Sequence, residues 1–193
     1  GYIIDVINRA SELVILAIGM TLVTAASGGQ DISVGAVMAV AAAVCCQILS
    51  GGASSVTEYQ NSLILAVIAA LLAAALCGAF NGFCVAFLEM PAVITTISTS
   101  MLFRGIVEIV LGENSLKNFP KWYNKIGWMN IGGIIPLSMV LFLIMGAIFI
   151  FVLHKSPFGR KVYIVGNNPT CANYSGISVK KVKMQVFILM GFM

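Results

Sequence analysis

The chain has 193 residues, 60% of them apolar and 9% charged, with a formal net charge of +4 and a mean hydropathy of +1.01. A soluble domain is about one quarter charged, and 11 basic plus 7 acidic side chains cannot build the hydrated shell that such a domain needs. The composition excludes most soluble enzymes and disordered tails, speaks against a nucleic-acid module, and fits a chain solvated by a lipid bilayer.

Residues 8–26 form the first apolar run, polar only in its first turn and at two threonines. SGGQD at 27–31 comes next, and its paired glycines predict a broken or re-entrant helix there. Asp31 or Ser33 is expected to cap the helix that continues through the second run, Ile32 to Leu49. An inner-face turn and a mid-membrane break both fit that pattern. A break of the latter kind often marks a transport route, because freed backbone groups in lipid must line a watery cavity or be buried in protein.

Residues 50–61 read as a polar loop and 62–88 as the third run. Gly78-Ala-Phe-Asn-Gly82 carries the small-xxx-small spacing that lets two helices approach closely. Asn81, an amide inside an apolar span, needs partners, and a sugar hydroxyl is one candidate. Pro91 opens the fourth run, to Leu111. Thr95, Thr96, Ser98, Thr99 and Ser100 crowd its first turns; they either return hydrogen bonds to their own backbone or line a polar path. Arg104 and Glu108, four apart and about 20 Å beyond Pro91, are expected to pair and to face the bundle or an outer vestibule.

Residues 112–136 form a wet segment with Lys117, Lys121 and Lys125 and an aromatic set, Trp122, Tyr123 and Trp128, suited to a membrane interface. Pro136 begins the fifth run, ending at Leu153. The next segment, 154–184, holds six basic residues and no acid, which places it in the cytoplasm by the positive-inside rule. Counting back puts 112–136 outside, the turn near Glu89 inside and 50–61 outside. Within the basic segment, Asn167 or Asn168 caps a short helix at about Pro169–Tyr174, which Ser175-Gly176 ends. Ser178 caps the next span. The apolar run from Met184 to Met193 is too short to cross about 30 Å of hydrocarbon, so the chain is expected to be a piece of a longer protein, cut within a transmembrane helix.

The fold predicted is an all-α polytopic transmembrane bundle with about five full spans and the start of a sixth. Cys45, Cys46, Cys77, Cys84 and Cys171 form no CxxC or Cys/His cluster, and His154 is the only histidine. No metal site, cofactor or catalytic constellation is expected, and the chain is not expected to be an enzyme. No Walker A pattern occurs, so any ATP would be hydrolysed elsewhere. From the residues alone, a stand-alone secondary transporter or channel for a small neutral solute stays open.

SGGQDISVGAVMAVAA, AFNGFCVAFLEMPAVITTISTSMLFRG and SPFGRKVYIVGNNPTCANYSGI, in that order, together resemble the ribose-type sugar permeases, membrane subunits of bacterial ATP-binding-cassette importers. The first stretch in that family reads GGIDLSVG; here Gln30 and Ile32 stand at two of its aliphatic positions. The resemblance implies a single permease domain over 1–193 in the bacterial cytoplasmic membrane, with 154–184 as a cytoplasmic loop. It implies that Asn168, Pro169, Thr170, Cys171, Ala172, Asn173, Tyr174, Ser175, Gly176 and Ile177 couple to a cytosolic ATPase. It further implies a second permease subunit, an extracytoplasmic sugar-binding protein and a monosaccharide substrate. Gln30, Asp31, Ser33, Asn81, Thr95, Thr96, Ser98 and Thr99 are the candidate pathway residues.

Overall fold

The computed structural model describes residues 2–51, 62–111, 130–131 and 135–193. The loop at 52–61 and most of the wet segment, with its three lysines and its Trp122, Tyr123 and Trp128, lie outside the described residues. The elements are α1 (Tyr2–Ser27), α2 (Val34–Ser50), α3 (Leu63–Ala86), α4 (Ala92–Leu111), β1 (Asn130–Ile131), β2 (Ile135–Pro136), α5 (Leu137–Lys155), α6 (Pro157–Asn167), α7 (Pro169–Tyr174) and α8 (Val179–Phe192). The fold is an all-α bundle. Its strands are a two-residue antiparallel ladder, Asn130 opposite Pro136 and Ile131 opposite Ile135.

Among the described residues, four helices are long and apolar enough to cross a membrane: Val6–Ser27, Leu63–Ala86, Ala92–Leu111 and Leu137–Lys155. α2, the remaining run of the expected five, is an apolar helix of 17 residues. The chain does break after α1, since residues 28–33 are not helical, and Gly28 there takes a left-handed φ of 68°. Gly29 lies against Ala92, the first residue of α4. The break is therefore a turn at the end of the bundle where α4 begins, not an interruption halfway along a span.

The spans pack through small residues and turn large ones outward. On α3, Ala66, Ala70, Ala74, Gly78 and Gly82 are buried and form one ridge at i, i+4 spacing, while Ile64, Leu72 and Leu76 are exposed. In water such an outer surface would aggregate; against lipid it is the solvated face, and close backbone packing replaces the hydrophobic drive between helices. The ridge meets α8 antiparallel: Gly82 lies beside Met184 and Phe187, and Gly78 beside Gly191.

α6 is a helix that the sequence pattern alone did not single out. Ser156 caps it by accepting from the Gly159 N–H at 3.2 Å, with Pro157 at its first turn. Gly159, Val162 and Val165 form its buried stripe, and Gly166 comes so close to the Ala25 carbonyl that no side chain fits between them.

Candidate functional site

Two groupings stand out, both at the end of the bundle where α3 ends and α4 begins. The first is a buried polar knot around the break. Ser33 donates its backbone N–H (2.8 Å) and its hydroxyl (2.6 Å) to one Asp31 carboxylate oxygen. Asn81 of α3 donates its amide N–H to the Ser33 hydroxyl oxygen at 2.7 Å. Thr96 of α4 accepts from the Ile32 N–H at 3.1 Å and reaches the Gln30 carbonyl at 3.4 Å. The break is thus fastened to two spans by neutral groups, while its one carboxyl is bonded within the break by Ser33. Asp31 lies in the connection between spans; burial pushes its carboxyl above the usual range, and the two bonds from Ser33 oppose that rise.

Asp31, Ser33, Asn81, Thr95, Thr96 and Thr99 are all buried, as a polar path or an internal knot requires. The other two candidates stand apart. Ser98 is exposed and returns its hydroxyl to the Ile94 carbonyl, and Gln30 is exposed beside Thr21 and Thr24 of α1. Thr95 and Thr99 bond their own helix, to the Pro91 and Thr96 carbonyls. The side-chain amide oxygen of Asn81 is buried with no partner among the described residues. Asn81 and Asp31 share a cavity of about 130 Å³ with Val37, Leu71, Gly78 and Met190. An unpaired buried acceptor costs about 1–3 kcal/mol, so this oxygen is suited to a hydroxyl donor such as water or a polyol.

The capping expectation is corrected. Ser33 occupies the N-cap position of α2, but its side chain makes no cap bond. Its hydroxyl is committed to Asp31 and Asn81, and that tertiary pairing outcompetes the local one. Ser178 likewise precedes α8 without a side-chain cap. Arg104 and Glu108 also differ from expectation: both are exposed, and no ion pair joins them among the described residues. At 100° per residue Glu108 falls about 150° and Arg104 about 110° round the helix from the buried Thr96, Thr99 and Phe103, on the side and outer face of α4.

The second grouping is the elbow at the start of α8. Asn168 caps α7 by accepting from the Cys171 N–H at 3.0 Å. At the other end the Ile177 N–H bonds the Ala172 carbonyl and the Gly176 N–H bonds the Asn173 carbonyl, around Gly176 at φ 77°. This paired closure with a left-handed glycine is a Schellman motif. Ala172 is fully buried, whereas Tyr174 is 90% exposed. A cavity of about 560 Å³ separates the elbow from the α3–α4 turn, lined by Ser27, Glu89, Asn173, Lys180 and Lys183 among others.

Asn81→Leu is expected to leave the chain inserted but to loosen the break, lowering uptake about tenfold, since it removes one buried bond and its shared network. Radiolabelled uptake by vesicles carrying equal protein checks this; wild-type uptake takes Asn81 out of the pathway.

Comparison with known proteins gives the setting. Residues 2–193 match the protein-family model described as branched-chain amino acid transport system / permease component. The ribose import permease protein RbsC of Escherichia coli is 32% identical over 98% of this chain and 57% of its own length. The galactofuranose transporter permease protein YtfT of Escherichia coli is 30% identical over 99% of this chain and 53% of its own. The autoinducer 2 import system permease protein LsrC of Photorhabdus laumondii is 30% identical over 97% and 54%. The chain thus spans somewhat over half the length of these curated relatives. No solved structure matches it.

Proposed function

The chain belongs to the branched-chain amino acid transport system / permease component family, and from that premise we propose that it is the membrane-spanning permease subunit of an ATP-driven importer that carries a monosaccharide. It is a multi-pass protein of the cytoplasmic membrane and a transport permease. Within the proposal, residues 1–193 act as one permease domain and 154–184 as a cytoplasmic loop whose helix α7 meets a separate ATPase. A sugar-binding protein delivers the substrate from outside.

The observation that carries the reading is the alignment, over 97–99% of this chain, with permeases named for ribose, galactofuranose and autoinducer 2. The chemistry of the polar knot agrees. Hydroxyls and amides suit an uncharged polyol, which needs hydrogen bonds and no counter-ion; a zwitterionic amino acid would need a charge of each sign. The outward face of α4 supports a second permease subunit. Arg104 sits about 10 Å from the outer end of α4, and its side chain tilts back toward the helix start. A charge at that depth against lipid costs up to about 3 kcal/mol, which favours a protein surface or a water-filled vestibule over lipid beside Arg104.

The test is reconstitution of the full-length protein in liposomes with its ATPase and binding protein. ATP-dependent uptake of a labelled pentose or hexose that excess leucine does not inhibit is the expected result. Solute movement without any ATPase would establish the stand-alone transporter instead.

A further inference from the structure

We infer that Glu89 and Lys180 form a positioning strut that passes movement of α7 and α8 to the α3–α4 turn and the break beside it. The inference rests on the ATP-driven reading above and adds the mechanical link within this chain. Glu89 Oε1 lies 3.2 Å from Lys180 Nζ, the single ion pair among the described residues. Glu89 is also the single non-glycine residue there with a positive φ, 56°, a backbone state that costs a side-chain-bearing residue energy unless its surroundings hold it. The turn is held on one side by the Met90 N–H, which bonds the Cys84 carbonyl at 3.3 Å, and on the other by Lys180.

The position of the pair gives it purpose. Lys180 lies in the first turn of α8, two residues past the Ser178 start and four past the Gly176 closure of α7. α7 and α8 therefore move as neighbours across a tight, bonded corner. Glu89 lies three residues before Ala92, where α4 begins, and α4 holds the break through Thr96 and Ile32. A cavity of about 560 Å³ lies between α7 and the α3–α4 turn, and Glu89 and Lys180 both line it. Both side chains are exposed, Lys180 at 51% and Glu89 at 75%, and exposed ion pairs add little stability, so the strut acts on coupling more than on folding.

The experiment uses the full-length permease with its ATPase in liposomes and reads sugar carried per ATP hydrolysed. Glu89→Lys and Lys180→Glu singly are expected to lower that ratio about fivefold with hydrolysis and membrane level unchanged, and the double exchange to restore it. Glu89→Gln, which keeps the backbone and removes the charge, is expected to behave like the single reversals and to respond less to salt than the wild type. Singles that carry sugar as well as the wild type, or a double exchange as poor as the singles, overturn the strut. Absence of ATP-driven uptake by the unmodified protein overturns the reading beneath it as well; its presence with neutral variants overturns the strut alone.

Discussion

Gly78→Ala is expected to destabilise the bundle by forcing α3 and α8 apart. A Cβ at Gly78 would collide with the Phe187 carbonyl oxygen and stand 3.1 Å from the Gly191 Cα. Both atoms are backbone, so no rotamer change relieves the clash; α8 has to move off the α3 ridge. Overpacking of this kind costs about 1–3 kcal/mol, and more where the backbone must shift. The loss is amplified because the same ridge positions Asn81, three residues on, whose amide holds Ser33. Gly105→Ala, inside α4, is the control: nothing lies within 4 Å of its Cβ, and alanine improves helix propensity by about 0.5–1 kcal/mol. Unfolding midpoints of the two variants in the same detergent are expected to move in opposite directions. Equal midpoints would mean that α3 and α8 do not meet closely at Gly78.

Much of the architecture is readable from the chain because lipid makes polar residues conspicuous. SGGQD, Asn81 and the Thr95–Thr99 group stand out against apolar runs, and most of them are gathered at one end of the bundle. The small-xxx-small spacing of Gly78 and Gly82 announces a close helix contact, but the partner glycine, Gly191, lies more than a hundred residues away and belongs to no local pattern. Distance in sequence also explains the capping error. Local rules assign Ser33 to the helix it precedes; its hydroxyl instead bonds Asn81, 48 positions on, and a single sequence carries no sign of that choice. Arg104 and Glu108 have ideal spacing for a pair, yet spacing cannot say which way a helix is turned. α6 is a different matter: Ser156-Pro157 is a good start signal, and Gly159, Val162 and Val165 come after it at helical intervals. The basic residues of that segment dominate its pattern and mask the stripe.

Tyr174→Asp is expected to release the ATPase while leaving the permease folded and inserted. The ring is 90% exposed at the end of α7, an unusual place for a large aromatic side chain unless a partner covers it. The backbone beneath it is fixed at both ends, by the Asn168 cap and by the Gly176 closure, so the ring is presented at small entropic cost. Anchors of this type are worth about 2 kcal/mol or more, which corresponds to about a 30-fold loss of affinity. Ile177 is unsuitable for the same test: it packs against the main buried cluster and its N–H closes the Schellman motif, so a charge there would dismantle the elbow itself. The exposed Cys171 thiol on the same helix reports the geometry directly. A membrane-impermeant maleimide is expected to label it in inside-out vesicles and not in intact cells, and bound ATPase to slow the labelling in wild type but not in Tyr174→Asp. Labelling of Cys171 from the outside would invert the topology, and undiminished ATPase co-purification with Tyr174→Asp would remove α7 from the docking surface. A rigid element is what coupling requires, because a flexible loop would absorb the nucleotide-driven motion before it reached the spans.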